Sequence, residues 1–469
     1  MQKIKEECGV FGIFSSCDLP MASLAYYGLS ALQHRGQESC GIAINQNQQL
    51  KYFKDTGLVN EVFTPSVLQE LGEGNICIAH ARYCTTGGNH RQNAQPILVN
   101  RIEESIAIAH NGNLVNSYEL RAGLEQGGSI FQTTSDTEVI AHIITKNKIH
   151  SSSLEEALEK SVPLLKGAYS LVVMDHSKLI AMRDPNGFRP LCYGQTKDGA
   201  YVVASEGCAL DAIEANFIRD IEPGEIVIFE QDGVRSIKTY CHTSPKRICS
   251  FEYIYFARGD SYLEGKSVHL ARIRAGEFLA KTYPVEADIV IGVPDSGLDA
   301  AIGYARESKI PYGIGFVKNR YIARTFISPT HQERTEKLRL KLNPILPNIQ
   351  GKRIVLIDDS IVRGNTTKRI VKLLRDCGVK EIHMRVSSPP FLHPCFYGTD
   401  IDSREHLIAC QYSIPEIQKL LNLDSLGYLT LEGMDYMLQA KDQEGYCHAC
   451  FSGQYPTPTP QNTQKDKFE

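Results

Sequence analysis

The stretch Ile354 to Thr367, IVLIDDSIVRGNTT, constrains the fold more than any other. An apolar run ends in two adjacent carboxylates, turns through Gly364 and three small polar residues, and enters a helix that Gly378 can cap at its far end. An earlier segment repeats the plan, with Asp288 to Pro294 (DIVIGVP) leading into a helical stretch from Leu298 to Glu307. Strand, loop and helix in repetition predict a doubly wound parallel sheet, because parallel neighbours need a crossover and a helix supplies it. Ligands of such sheets sit beyond the carboxyl ends of the strands, so the loops beginning at Asp295 and Asp358 should face one site.

The chemistry of that site follows from residue type. Backbone N–H groups from Arg363 through Gly364, Asn365, Thr366 and Thr367, with the two threonine hydroxyls and a helix N-terminus, can cradle a phosphate, and Ser360 lies in the same loop. Asp358 and Asp359 repel phosphate, so they are expected to hold ribose hydroxyls or a Mg²⁺ ion that bridges to pyrophosphate oxygens. Neither a P-loop nor a Gly-rich dinucleotide fingerprint follows the strand, which argues against nucleotide hydrolysis. Two carboxylates followed by a phosphate cradle resemble the signature of type I phosphoribosyltransferases, the enzymes that use phosphoribosyl pyrophosphate (PRPP). In that resemblance Ser296, after the strand in GVPDS, joins Asp358 and Asp359 around Mg²⁺; as a bare residue it reads equally well as a helix N-cap.

The first half of the chain has a different pattern, with short strands such as Tyr201 to Ala204 and Glu225 to Phe229 among helices starting near Ser135 and Ser153. It reads as α plus β. Gln231 to Lys246 has little apolar period and suits a linker, which places the domain boundary at 235/236. From Asn319 to Pro347 the chain is rich in Arg and Lys and suggests a mobile basic loop, a candidate lid, and the Pro-rich tail 455–469 reads as disordered. With 50 Lys and Arg against 54 Asp and Glu, the net charge of −4 gives no general attraction for nucleic acid. No run is long and apolar enough to span a membrane, and MQKIKEE lacks the core of a secretory leader, so no membrane partner and a cytoplasmic location are expected. Fourteen cysteines in a reducing compartment then ask which are nucleophile, which metal ligands and which buried packing residues.

Cys8 opens CGVFGIF, followed by GLSALQHRGQES from Gly28, HARYCTTGG from His80, AHNGN from Ala109 and SDTEV from Ser135. Together these motifs resemble the N-terminal nucleophile glutamine amidotransferases, in which a cysteine exposed as the first residue attacks the glutamine side-chain amide. Joined to the phosphoribosyl loop, the resemblance narrows to the glutamine phosphoribosylpyrophosphate amidotransferase family and covers the chain from Cys8 to about Pro456. It implies an N-terminal α+β Ntn-hydrolase-type sandwich (class II glutamine amidotransferase) over 8–235, behind a propeptide 1–7. A type I phosphoribosyltransferase domain over 236–454 follows. Asn111 and Gly112 are implied as the oxyanion hole. Arg82 and Asp136 would grip the α-carboxylate and α-amino group of glutamine, and Gly28 would lie beside the nucleophile, although it also reads as simple helix packing. Removal of Met1 to Glu7 makes chemical sense, since an α-amino group with a pKa of about 8 can take the thiol proton and a peptide nitrogen cannot.

Cys447 and Cys450 form a Cys-x-x-Cys that spacing alone leaves open between a redox pair, half a zinc site and half an iron–sulfur site. One branch of the resembled family binds a [4Fe-4S] cluster through four cysteines in contexts that match Cys249, Cys395, Cys447 and Cys450. The resemblance further implies glutamine and PRPP as substrates, 5-phosphoribosylamine as product at the opening of purine synthesis, feedback by purine nucleotides, and a homotetramer.

Overall fold

The computed structural model describes residues 8–83, 88–101, 105–319, 342–401, 403–441 and 444–460. Met1 to Glu7, nearly all of the basic stretch after Asn319, and the tail from Gln461 onward lie outside them.

Two antiparallel sheets build the first half. One runs in the order 216–220, 192–195, 201–204, 9–19, 74–82, 39–46, 49–56, and the other in the order 233–237, 226–230, 179–183, 167–174, 105–114, 97–100. Strand Gly9–Leu19 shows how the layers arise. Its side chains alternate, so Val10 and Phe14 enter the core between the sheets while Phe11 and Ile13 face the helix Met21–Ala31. The second sheet buries its other face under the helices Asp136–Lys148 and Leu154–Ser161. The result is helix, sheet, sheet, helix, the sandwich expected for this half. Ser153 caps its helix by accepting the Glu156 N–H at 3.2 Å. The Ser135 hydroxyl accepts the Thr137 N–H, and the Glu138 carboxylate accepts the N–H groups of Gln132 and Thr133 while the Ser135 N–H goes to the Thr133 hydroxyl, so neither half of a capping box forms there.

The second half is a four-stranded parallel sheet, Ile289–Gly292, Arg353–Asp358, Glu381–Val386 and Ser425–Tyr428, hydrogen-bonded in that order. Both faces are covered. Val355 and Ile357 pack into one core with helices Val268–Thr282 and Gly297–Ser308, while Ile354 and Leu356 pack into another with helix Asn365–Asp376. Strands buried on both sides explain why these runs are continuously apolar.

Two boundaries differ from expectation. Gly233–Ile237 lies within the expected linker but pairs with Ile226–Glu230, Ile226 opposite Ile237, so the boundary at 235/236 falls inside a strand and the connection begins after Ile237. Gln231-Asp232 is a hairpin turn between Glu230 and Gly233, not the start of a linker, and the short polar strand after it has too little apolar period to declare itself. At the other end, Tyr455 is not loose. Its hydroxyl donates to the Pro394 carbonyl at 2.7 Å and its ring lies 4.9 Å from that of Phe396, while Thr457 meets the Tyr397 hydroxyl at 2.9 Å. A single well-placed aromatic anchors the start of a stretch whose composition otherwise signals disorder.

The halves share buried contacts. Arg183 of the sandwich pairs with Glu264 at 2.6 Å, Arg189 donates to the Tyr397 carbonyl at 2.6 and 3.0 Å, and Phe188 stacks on Tyr397 with centroids 4.1 Å apart.

Candidate active sites

Cys8 precedes the first strand and is 4% exposed. Its thiol donates to the Tyr83 carbonyl at 3.4 Å, and Gly9 faces Ala81 across the strand pair, which sets Cys8 beside the end of strand Gly74–Arg82 and thus beside Arg82. Arg82 is buried and its guanidinium donates to the Gly88 carbonyl at 3.3 Å. The second sheet comes to the same place, because His80 bonds the His110 carbonyl at 2.9 Å and so ties the end of strand Gly74–Arg82 to the strand carrying Asn111 and Gly112. Burial holds the His80 imidazole neutral, its pKa lowered to about 3, so the ring is a fixed hydrogen-bond bridge and not a base.

Asn111 Nδ2 is buried with no hydrogen-bond partner. A buried orphan amide is costly unless something arrives to accept from it, which suits a donor waiting for an oxyanion. Gly112 sits at φ +147°, and a Cβ there would lie 2.1 Å from the Ala168 carbonyl oxygen. Asp136 opens its helix, where a carboxylate is favoured, and accepts the Leu114 N–H at 3.0 Å with the His110 ring 3.6 Å away. Cation, anion and orphan donor thus lie on strand and helix ends tied together around one buried thiol.

Gly28 is elsewhere. It lies in helix Met21–Ala31, where a Cβ would come within 2.3 Å of the Phe11 ring, so its role is the packing one. From the same motif the structure brings Arg35 and Gly36 to the nucleophile, and the sequence reading passed over both. Arg35 Nε donates to the Cys8 carbonyl at 3.0 Å, and a Cβ on Gly36 would lie 2.3 Å from the Ala81 carbonyl oxygen and 2.6 Å from Arg82 N. The available signal was His34-Arg35-Gly36 directly after an apolar helical run, polar residues falling where the helical face would continue.

The second site lies at the carboxyl end of the parallel sheet. Asp358 and Asp359 are 4% and 3% exposed, with Asp358 accepting the Asp359 N–H at 3.0 Å and the Ser360 hydroxyl donating to the Asp359 carboxylate. Gly364 takes φ +75° immediately before helix Asn365–Asp376, whose first residues are Asn365, Thr366 and the buried Thr367; Arg363 precedes the turn, partly exposed. Ser296 precedes helix Gly297–Ser308 without capping it. Its hydroxyl donates to the Asp359 carboxylate instead, so the loops after Ile289–Gly292 and Arg353–Asp358 do meet. Lys318 pairs with Asp295 on the same rim.

The segments that carry the four cysteines come together. Arg247–Cys249 and Gly445–Cys447 run parallel with Cys249 opposite Cys447, and the Cys450 carbonyl accepts the N–H groups of Leu392 and His393, just ahead of Cys395. Burial, and beyond it the neighbouring thiols of Cys395, Cys249 and Cys447, pushes the Cys450 thiol up, and burial pushes Cys447 up to about 12. Among the described residues no three His, Cys, Asp or Glu side chains lie close enough together to hold a metal ion. Every described cysteine is a free thiol, and the remaining ones are not uniformly buried: Cys17 is exposed, on the solvent end of its strand.

A sandwich presenting a buried cysteine ahead of its first strand with an orphan amide near it, joined to a parallel sheet presenting paired carboxylates before a glycine turn and a helix N-terminus, defines a two-domain glutamine amidotransferase and phosphoribosyltransferase. Residues 80–212 match a family model described as a glutamine amidotransferase domain, and residues 260–390 match one described as a phosphoribosyl transferase domain. The chain is 46% identical over 464 residues to an amidophosphoribosyltransferase of Bacillus subtilis, covering 98% of this chain and 96% of that one. It is also 46% identical to that of Methanocaldococcus jannaschii, covering 96% and 98%. A solved structure of the B. subtilis glutamine PRPP amidotransferase, complexed with ADP and GMP, superposes with a TM-score of 0.90 at 45% identity and covers 98% of this chain and 99% of that one. The chain belongs to the amidophosphoribosyltransferase family.

Proposed function

We propose that the two sites work in series: the first releases ammonia from glutamine, and the second uses it to displace pyrophosphate from PRPP, giving 5-phosphoribosylamine, glutamate and pyrophosphate at the entry to purine synthesis. The observation that carries the reading is the hydrogen bond from Asn113 Nδ2, two residues past Asn111, to the Phe396 carbonyl of the second domain at 2.9 Å. The strand of the oxyanion hole rests directly on the domain that would receive the ammonia. Ammonia in water is mostly ammonium and not nucleophilic, so a closed junction between the sites preserves it.

Removal of Met1 to Glu7 makes Cys8 the first residue, and its α-amino group then takes the thiol proton. Asn111 and the Gly112 N–H receive the oxyanion, while Arg82 and Asp136 hold the zwitterionic end of glutamine. At the second site Arg363 to Thr367 and Ser360 hold the phosphate-bearing substrate, and the helix N-terminus favours its charge. Ser296, Asp358 and Asp359 would hold Mg²⁺, which supplies charge neutralisation on the departing pyrophosphate; adjacent buried carboxylates, with the Ser296 hydroxyl on that of Asp359, fit a hard cation.

The four thiols of Cys249, Cys395, Cys447 and Cys450 would hold a [4Fe-4S] cluster whose part is structural. Support comes from the Cys249–Cys447 register and from the thiols that act on Cys450. Purine nucleotides are proposed as feedback ligands, a reading supported by the nucleotides in the B. subtilis structure. A homotetramer in the cytoplasm completes it, the free thiols fitting a reducing compartment.

Product analysis with glutamine and PRPP, each omitted in turn, tests the coupled reaction. Glutamate released with PRPP present but without pyrophosphate would overturn it.

A further inference from the structure

Glu252 belongs to the second domain, on one turn of π-helix spanning Glu252–Phe256, yet its carboxylate is spent on the first. Both oxygens are engaged by Arg35, at 2.8 and 2.9 Å, and Arg189 approaches one of them at 3.4 Å. Arg35 also donates to Glu206 at 2.6 Å, and its Nε–H goes to the backbone carbonyl of Cys8 at 3.0 Å. The other oxygen of Glu206 accepts the Arg258 N–H at 3.0 Å and the Ser261 hydroxyl at 2.7 Å, both from the second domain. Arg35, Arg189, Glu206 and Glu252 are all at most 1% exposed.

Holding two domains together does not call for four buried charges, since desolvation offsets most of what such pairs gain and an apolar seam would serve as well. What an ion-paired guanidinium provides is direction. With its fork pinned by two carboxylates, Arg35 has one orientation, and in it the Nε–H points at the residue that bears the nucleophile. Glu252 is itself fixed, because the buried Arg272 donates to the carbonyls of Tyr253 and Ala257 at 2.8 and 2.7 Å and so braces the turn on which it sits.

We propose that Glu252 is a positioning residue for the glutaminase nucleophile: through Arg35 the second domain sets the place of the Cys8 main chain, and with it the aim of the thiol and of the α-amino group that takes its proton. The inference rests on the glutaminase reading of Cys8. Losing the Glu252 charge leaves Arg35 with Glu206 as its partner on the fork, and the guanidinium turns toward it and away from Cys8. Misplacing a reacting group by about 1 Å costs about 100-fold in rate.

The test is steady-state kinetics on full-length Glu252→Gln and Arg35→Lys, assaying glutamate release and, separately, ammonia-dependent phosphoribosylamine formation. The expected result for each is a glutaminase kcat down by about 10- to 100-fold, with the KM for glutamine and the ammonia-dependent rate within about twofold of wild type. The double variant should be no slower than the worse single one, as for groups acting as a unit. A Glu252→Gln enzyme with wild-type glutaminase kcat, a loss confined to KM, or an equal loss of both activities would overturn the proposal, the last because it marks a purely structural role. Should Glu252→Gln fail to fold, Glu252→Asp keeps the charge at shorter reach; an intermediate kcat at unchanged KM supports the positioning role, and wild-type kcat refutes it. A wild-type enzyme that released no glutamate would sink the glutaminase reading instead, and the two failures are therefore distinct.

Discussion

The Ser296 hydroxyl donates to the carboxylate of Asp359 and leaves its own helix uncapped. Serine before a helix is ordinarily spent on that helix, so its diversion marks the loop pair as a site. Ser296→Ala should raise the KM for PRPP by about 10-fold or more, the range for a hydrogen bond to a charged group, and leave glutamine hydrolysis unchanged. Initial rates against PRPP at saturating Mg²⁺ check it, and an unchanged KM would return Ser296 to a packing role.

Asp358→Asn combined with Asp359→Asn removes two buried charges beside the same turn. PRPP affinity should fall sharply, while glutamate release assayed without PRPP persists. Equilibrium binding decides it, and wild-type affinity would move the site elsewhere.

Cys8→Ala should abolish glutamine-dependent synthesis and keep ammonia-dependent synthesis, more so at higher pH where free NH₃ is abundant. N-terminal sequencing of active enzyme should begin at Cys8. Full activity in a chain that retains Met1 to Glu7 would exclude the α-amino base.

His80 makes stability depend on pH. Its pKa is about 3 in the folded chain, lowered by burial from an ordinary 6.5, so between those values the unfolded state binds more protons. Stability should therefore be lost as pH falls below 6.5. Relative to wild type, His80→Gln should gain about 1.4 kcal/mol for each pH unit of acidification in that window. Thermal melts from pH 7 to pH 4.5 read the difference, and parallel curves would mean that His80 titrates normally.

Cys447→Ser should lower soluble yield before it touches either chemistry, since a cluster held by Cys249 and Cys447 would clamp paired segments almost 200 residues apart. Anaerobic wild-type protein should be brown with about four irons per chain. A colourless protein holding stoichiometric zinc, active in air, would replace the iron–sulfur assignment with a zinc one.

Local chemistry was legible in residue order. Asp358 and Asp359 at the end of an apolar run and Gly364 at the turn into a helix each carry their reason within a few neighbours, and so does the parallel sheet that strand, loop and helix imply, whereas Asn111 and Gly112 were named only through the family resemblance. Gly28 and Gly36 show where that stops. Both occur in one quoted motif, and only the packing of Phe11 against the first and of the Ala81–Arg82 backbone against the second tells the filler from the residue at the nucleophile. Short polar strands such as Gly233–Ile237 were hidden for a related reason, because an edge strand draws its stability from a partner and not from its own apolar period. The sequence by itself determined which chemistries the chain contains. Tertiary structure alone decided that they share an interface, since the Arg35–Glu252 pair joins residues 217 positions apart and buried charge complementarity leaves no periodic trace along the chain.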